Sequence, residues 1–229
     1  MIVEILYPEY ANLYGDPGNI RYLRRCLPEA EFVETFIHDE PAFASRDVDL
    51  VYMGPMTESA QEKIIACLRP YAGRVQEMIE QNTVFLMTGN AMEVLGEAIV
   101  NEDGSRIEGL GLLPLIAKRD MMHRYDAAFY GRFEDFAVVG FKSQFTMAYS
   151  SKEDCSFMRA EKGMGLNDRT TGEGMRLHNF FGTYLLGPLL IMNPPFTRYL
   201  LRLMGAEPET LPFEEEAMEA YRRRLADFA

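Results

Sequence analysis

Short runs of β-branched and apolar residues recur through the first half of the chain, at Ile2–Leu6, Phe32–Ile37, Leu50–Met53 and Val84–Met87. They alternate with segments of helical periodicity, the pattern of a parallel sheet covered on both faces. After Leu50–Met53, Ser59 and Glu62 have capping-box spacing, and Ile64, Ile65 and Leu68 follow on one helical face until Pro70. Val75, Met78 and Ile79 begin the apolar face of a second helix. Strand, helix and strand in that order predict a right-handed crossover.

From about residue 110 the pattern shifts to short strands divided by turn residues, at Ala137–Phe141, Phe145–Tyr149 and Phe157–Arg159, which predicts a hairpin-rich extension. Asn179–Leu185 reads as a return to the main sheet. Two helices close the chain. One starts at Pro194-Pro195 and ends at Gly205, with Tyr199, Leu200, Leu203 and Met204 inward. The other begins near Pro212, with Glu214, Glu215 and Glu216 first and Arg222, Arg223 and Arg224 toward its end, an order that suits the helix dipole.

Composition narrows the function classes. A chain of 229 residues that is 48% hydrophobic can bury a full core, and with no repeat or linker it is expected to form one domain over residues 1–229. The formal charge of -12, unbroken by any compact basic run, argues against a phosphate-tracking nucleic-acid surface. Met1 to Pro8 has no signal-peptide character, and the apolar stretch from Phe180 to Met192 is broken by Gly182, Thr183, Gly187 and Pro188, short of the ~20 residues of a membrane span. A cytoplasmic protein without membrane spans is expected. Cys26, Cys67 and Cys155 are widely spaced, with no Cys-x-x-Cys pair or nearby histidine, so neither a zinc site nor any cofactor is expected.

Candidate chemistry centres on Val84–Met87 and the following Thr88-Gly89-Asn90-Ala91-Met92-Glu93-Val94-Leu95-Gly96, a sharp strand-to-helix junction of the nucleophile-elbow kind. Its central residue is Gly89, which accepts positive φ without steric cost and so keeps the elbow's backbone shape without a nucleophile. On local sequence alone, an ordinary glycine turn is the preferred explanation of the segment.

Other segments add to this one. Leu6-Tyr7-Pro8-Glu9, with Asn12-Leu13-Tyr14-Gly15-Asp16-Pro17-Gly18-Asn19, is followed by Asp49-Leu50-Val51-Tyr52-Met53-Gly54. Later come Glu108-Gly109-Leu110-Gly111-Leu112-Leu113, Gly140-Phe141, and Gly182-Thr183-Tyr184-Leu185-Leu186-Gly187-Pro188-Leu189-Leu190 with Asn193-Pro194. In order and spacing these resemble the class I glutamine amidotransferases of the cobyric acid synthase type, and most of all the glutaminase subunit of lipid II isoglutaminyl synthase. The resemblance runs from about residue 6 to 194. It implies an α/β flavodoxin-like fold with a mostly parallel sheet, helices on both faces, and a pocket at the carboxyl ends of the strands.

The departures from that family fall on its working residues. Where its elbow reads Gly-x-Cys-Gly-Gly-x-Gln, this chain places Gly89 at the cysteine and Glu93 at the glutamine. Where its distal motif reads Gly-Thr-Tyr-Leu-His-Gly-Pro, Leu186 stands for the histidine. The family's oxyanion loop has consecutive glycines, whereas this chain reads Gly54-Pro55-Met56-Thr57. Proline has no N–H to donate, and one lost oxyanion donor costs ~3 kcal/mol of transition-state stabilisation.

No other residues supply the missing pair. Cys67 lies in a helical pattern, Cys155 in a polar turn and Cys26 at a helix end. His178 is roughly 26 Å from Leu186 along an extended strand, and His38 and His123 read as turn or loop residues. No catalytic residue is therefore expected; Gly89 and Leu186 are degenerate positions, and Gly54, Pro55, Thr88, Asn90, Glu93 and Gln144 are the pocket candidates.

The resemblance implies a binding or partner subunit, with a Mur ligase-like synthetase as the expected partner. Two alternatives remain open: an enzyme that reuses the pocket on another small molecule with Glu93 as its titratable group, and a working glutaminase subunit of the cobyrinate or lipid II amidation type.

Overall fold

The computed structural model of the protein describes residues 1–228. The first half builds β1 (Ile2–Leu6), α1 (Pro17–Cys26), β2 (Glu31–Thr35), β3 (Leu50–Met53), α2 (Glu58–Leu68), α3 (Ala72–Glu80), β4 (Val84–Thr88) and the short α4 (Ala91–Val94). An extension follows, comprising β5 (Ala98–Val100), β6 (Arg106–Glu108), β7 (Leu115–Arg119), β8 (Tyr125–Phe133), β9 (Phe136–Gln144), β10 (Thr146–Ser150), β11 (Met158–Lys162) and β12 (Gly172–Glu173). The chain then re-enters the main sheet through β13 (Met175–Leu177) and β14 (Phe180–Thr183), and ends in α5 (Leu189–Met192), α6 (Pro194–Leu203) and α7 (Glu214–Ala226).

The central sheet has the order β2-β1-β3-β4-β14-β13, parallel throughout except for the β13–β14 pair. Its inner strands are buried on both faces, as parallel strands flanked by helices must be. Leu50 and Tyr52 face a core with Leu23, Leu189, Leu200 and Phe181, whereas Val51 and Met53 face one with Ile64, Met78, Met87 and Phe180. The period of two in these apolar runs thus fills two hydrophobic layers from one strand.

Two smaller sheets, β10-β7-β5-β6 and β12-β11-β8-β9, form the extension. Phe133 anchors the second of these to the main core, with its ring centroid 4.9 Å from Phe157 and 6.0 Å from both Phe181 and Phe196. A buried ion pair is a second anchor. Lys142 of β9 donates to the Met164 and Gly165 carbonyls at 3.1 and 2.6 Å and lies 3.5 Å from Glu173. Glu173 in turn accepts from the Thr183 hydroxyl at 2.8 Å and the Tyr184 N–H at 2.9 Å.

Several local expectations need correction. The N-cap of α2 is Thr57, whose Oγ1 accepts from the Ala60 N–H, so Ser59 and Glu62 lie inside the helix and form no capping box. The second strand closes at Thr35, two residues before Ile37. The extension strands are longer than expected and shifted, and Phe145 falls between β9 and β10. On α6 the buried residues are Pro194, Phe196, Thr197, Leu200 and Leu201, while Tyr199 and Leu203 are only half-buried. Among the described residues no helix is long and apolar enough to cross a membrane.

Lys142→Met would leave Glu173 as an unpaired buried charge. Urea unfolding is expected to show a loss of about 3 kcal/mol or more, part of which returns in Lys142→Met/Glu173→Gln.

Candidate functional site

The carboxyl ends of β1, β3, β4 and β14 converge where the sheet order reverses around β1 and β3, the place where open α/β sheets leave a crevice. Beyond β4 the chain turns at Gly89 with φ +59°, a left-handed conformation that costs an L side chain roughly 1–2 kcal/mol. Space is closed as well. A Cβ built on Gly89 would overlap the Cβ of Pro55 and stand 3.2 Å from its Cα and 3.3 Å from its Cγ. The proline ring therefore occupies the position of an elbow side chain.

The loop after β3 is fixed in that place by Asn90, whose amide accepts from the Met56 N–H at 2.9 Å and donates to the Met56 carbonyl at 2.8 Å. Gln61 of α2 adds a bond to the Asn90 carbonyl at 2.9 Å. Gly54 is pressed against the loop after β1, where an added Cβ would overlap Asp16 Oδ2 and approach the Ala11 carbonyl to 2.6 Å.

A cleft of about 180 Å³ opens above these turns. Its walls include Leu13 and Tyr14 from the loop after β1, Pro55 to Glu58, Gly89, Asn90, Arg124, the segment Ser143 to Thr146, Tyr184 and Leu186. Arg124 lies over the Phe145 ring at 4.6 Å and donates to the Tyr14 hydroxyl at 3.3 Å. Gln144 donates to the Thr146 carbonyl at 2.5 Å, while its buried Oε1 has no hydrogen-bond partner. Among the described residues no cysteine or histidine lines the cleft.

Two buried carboxylates lie beneath it. Asp16 accepts from the Tyr52 hydroxyl, from Thr88 Oγ1 at 2.8 Å and from Asn19 Nδ2 at 3.2 Å. Burial pushes its pKa up to about 6, against the pull of those donors and the Gly187 backbone. Glu93 accepts from Thr146 Oγ1 at 2.5 Å, the Tyr184 hydroxyl at 2.8 Å and Gln61 Nε2 at 2.8 Å. Burial raises its pKa too, opposed by these donors and by Arg119.

A family model for the CobB/CobQ-like glutamine amidotransferase domain matches residues 2–193. The chain belongs to that family. It is similar to the GatD subunit of lipid II isoglutaminyl synthase (glutamine-hydrolyzing) from Streptococcus pneumoniae, at 28% identity over 82% of this chain and 74% of the relative. The same subunit from Staphylococcus aureus is 26% identical over 91% of this chain and 85% of the relative. Among solved structures, a glutamine amidotransferase aligns over 90% of this chain and 100% of its own, with a TM-score of 0.57 and 16% identity. The acivicin-bound glutaminase domain of Trypanosoma brucei CTPS aligns over 93% of this chain and 96% of its own, with a TM-score of 0.56 and 12% identity. The fold is that of the class I glutamine amidotransferases.

Within this amidotransferase fold the structure brings Pro55, Gly89, Asn90, Gln144 and Leu186 to one cleft. Gly54, Thr88 and Glu93 lie below or behind its wall. Asn90 lines the cleft, but its side chain is committed to Met56. Sequence reasoning did not single out Asp16, Tyr14, Arg124, Thr146 or Tyr184.

Gly89→Ala is expected to cost about 2–4 kcal/mol in urea unfolding, from left-handed strain plus overlap with Pro55. In a Pro55→Gly background only the strain of about 1 kcal/mol should remain.

Asp16 sets a pH dependence of known sign. Its folded pKa of about 6 exceeds the ordinary value of 3.8, so its stabilising contribution is complete below about pH 4 and is lost as pH rises through about 6. The stability difference between the parent and Asp16→Asn should therefore move against the parent by up to about 3 kcal/mol between pH 4 and 7.

Proposed function

We propose that this chain is an amidotransferase-like subunit that does not hydrolyse glutamine by the cysteine–histidine thioester route and instead acts as a binding or partner subunit. The single observation that carries this reading is the Pro55 ring packed against Gly89, which leaves no room for an attacking side chain at the elbow. Leu186, opposite it, offers no ring nitrogen to take a proton. Thioester chemistry needs a thiolate, a base and an oxyanion donor together, and each of the three places is held by a residue unable to supply it.

A synthetase of the Mur ligase type is the partner this reading favours. Both curated relatives are, by name, subunits of a glutamine-hydrolyzing synthase. An arrangement in which this chain fills a subunit position without supplying ammonia needs the fold, and the fold is retained.

A second reading, small-molecule chemistry in the same cleft, draws on the unpartnered Oε1 of Gln144 and the raised pKa of Glu93. Against it stands the enclosure of Glu93, which is 1% exposed and meets the cleft only through Thr146 and Tyr184.

Glutamine incubated with the purified chain, alone or with a synthetase partner, should release ammonia no faster than glutamine in buffer. Chain-dependent release would reject the reading. Gly89→Cys/Leu186→His should stay unreactive toward a glutamine-like chloroketone because Pro55 still fills the site. Adding Pro55→Gly should permit a covalent mass shift at residue 89.

A further inference from the structure

A second concavity, of about 830 Å³, lies on the extension and shares no lining residue with the elbow cleft. Among the described residues its lining carries Arg132, Lys152, Arg159, Arg169 and Arg176 and one carboxylate, Glu134, on a chain whose formal charge is -12. Arg159 of β11 stands directly opposite Arg132 of β8 in the antiparallel ladder. Like charges so placed destabilise a sheet, and the Cβ atoms of such a pair lie only ~5 Å apart. On its other side Arg159 is paired with Gly172, which has no side chain to screen it.

Local carboxylates neutralise only part of this charge. Arg176 meets Glu134 at 2.5 Å, Arg132 meets Glu161 at 3.5 Å, and Arg169 meets Asp168 at 3.8 Å. Among the described residues, Arg159 and Lys152 have no carboxylate partner.

We propose that this groove binds a small molecule bearing a diphosphate or triphosphate group, with Arg132 and Arg159 astride adjacent phosphoryl groups. Guanidinium forks match phosphate oxygens two at a time, and two side by side span more than one anionic centre. The Thr170 hydroxyl accepts from the Gly172 N–H at 3.0 Å, leaving its proton for a phosphate oxygen. The volume is that of a small-ligand site, and the concavity favours such a ligand over a flat macromolecular face.

Titration calorimetry with inorganic diphosphate and with a nucleoside triphosphate separates the two sources of the group; orthophosphate and citrate serve as comparisons. Saturable 1:1 binding of either probe is expected, weakened by salt. It should be weakened roughly tenfold or more by Arg159→Ala or Arg132→Ala, and left unchanged by Arg202→Ala, which lies outside the groove. Arg159→Lys, keeping charge without the fork, should bind in between. All three arginines replaced are exposed, and circular dichroism checks that each variant is folded. The proposal is overturned if neither probe saturates at millimolar concentration, if citrate binds as tightly as diphosphate, or if Arg132→Ala/Arg159→Ala binds as the parent does.

Discussion

The ring of Pro55 rests against Gly89, and the arrangement of the cleft follows from that contact. Neither residue is free to shift: Asn90 bonds both the N–H and the carbonyl of Met56, and Gln61 bonds the Asn90 carbonyl, so the loop after β3 and the elbow after β4 form one unit. Glycine at position 89 then satisfies two demands at once, a φ of +59° and the absence of a Cβ. A side chain there would have to displace the proline, and the loop that carries the proline is tied to the elbow itself.

Below that contact the protein places Asp16 and Glu93 in the interior. Burying a carboxylate costs several kcal/mol, and charge-assisted hydrogen bonds return roughly 1.5–3 kcal/mol each. With three side-chain donors apiece, the two networks come near to balance, so their effect is on position more than on net stability. Asp16 ties the loop after β1 to Tyr52 of β3 and Thr88 of β4; Glu93 ties α4 to α2, β10 and the segment after β14. The loop after β1, the ends of β3 and β4, α4, β10 and the segment after β14 are therefore tied beneath the cleft by polar contacts.

The central strands were legible because each inner strand is buried on both faces, which leaves a continuous apolar run such as Leu50–Met53 that local pattern alone identifies. The extension was less so. In β8 the inward face mixes Phe129 and Phe133 with Gly131, while its first half has no buried position, and its nine-residue pairing with β9 depends on a partner strand. The strand-to-helix turn at Gly89 and the loop carrying Pro55 could be read from motif spacing. Their mutual contact could not, because it depends on how two loops 34 residues apart meet. Asp16 was hidden for the same reason: as a turn residue before Pro17 it is unremarkable, and its partners Tyr52 and Thr88 lie 36 and 72 residues further on. Gln144 was read as a polar participant, but its orphaned Oε1 follows from the β9–β10 turn, which spends its N–H group on Thr146.

A working nucleophile elbow holds a side chain at strained dihedrals, a cost of order 1–3 kcal/mol that the surrounding structure must offset. With Gly89 that strain is absent, so nothing in the resting cleft presses toward reaction or rearrangement. On the proposed reading, ligand recognition there falls to the Gln144 carbonyl, which has no hydrogen-bond partner, and to the exposed Arg124 guanidinium, which is held by Tyr14 and Phe145. The same segment that ends in Gln144 begins near Lys142, whose ammonium anchors the extension to the central sheet through Glu173. The extension thus supplies one wall of the cleft and carries the cationic groove on its own exposed face.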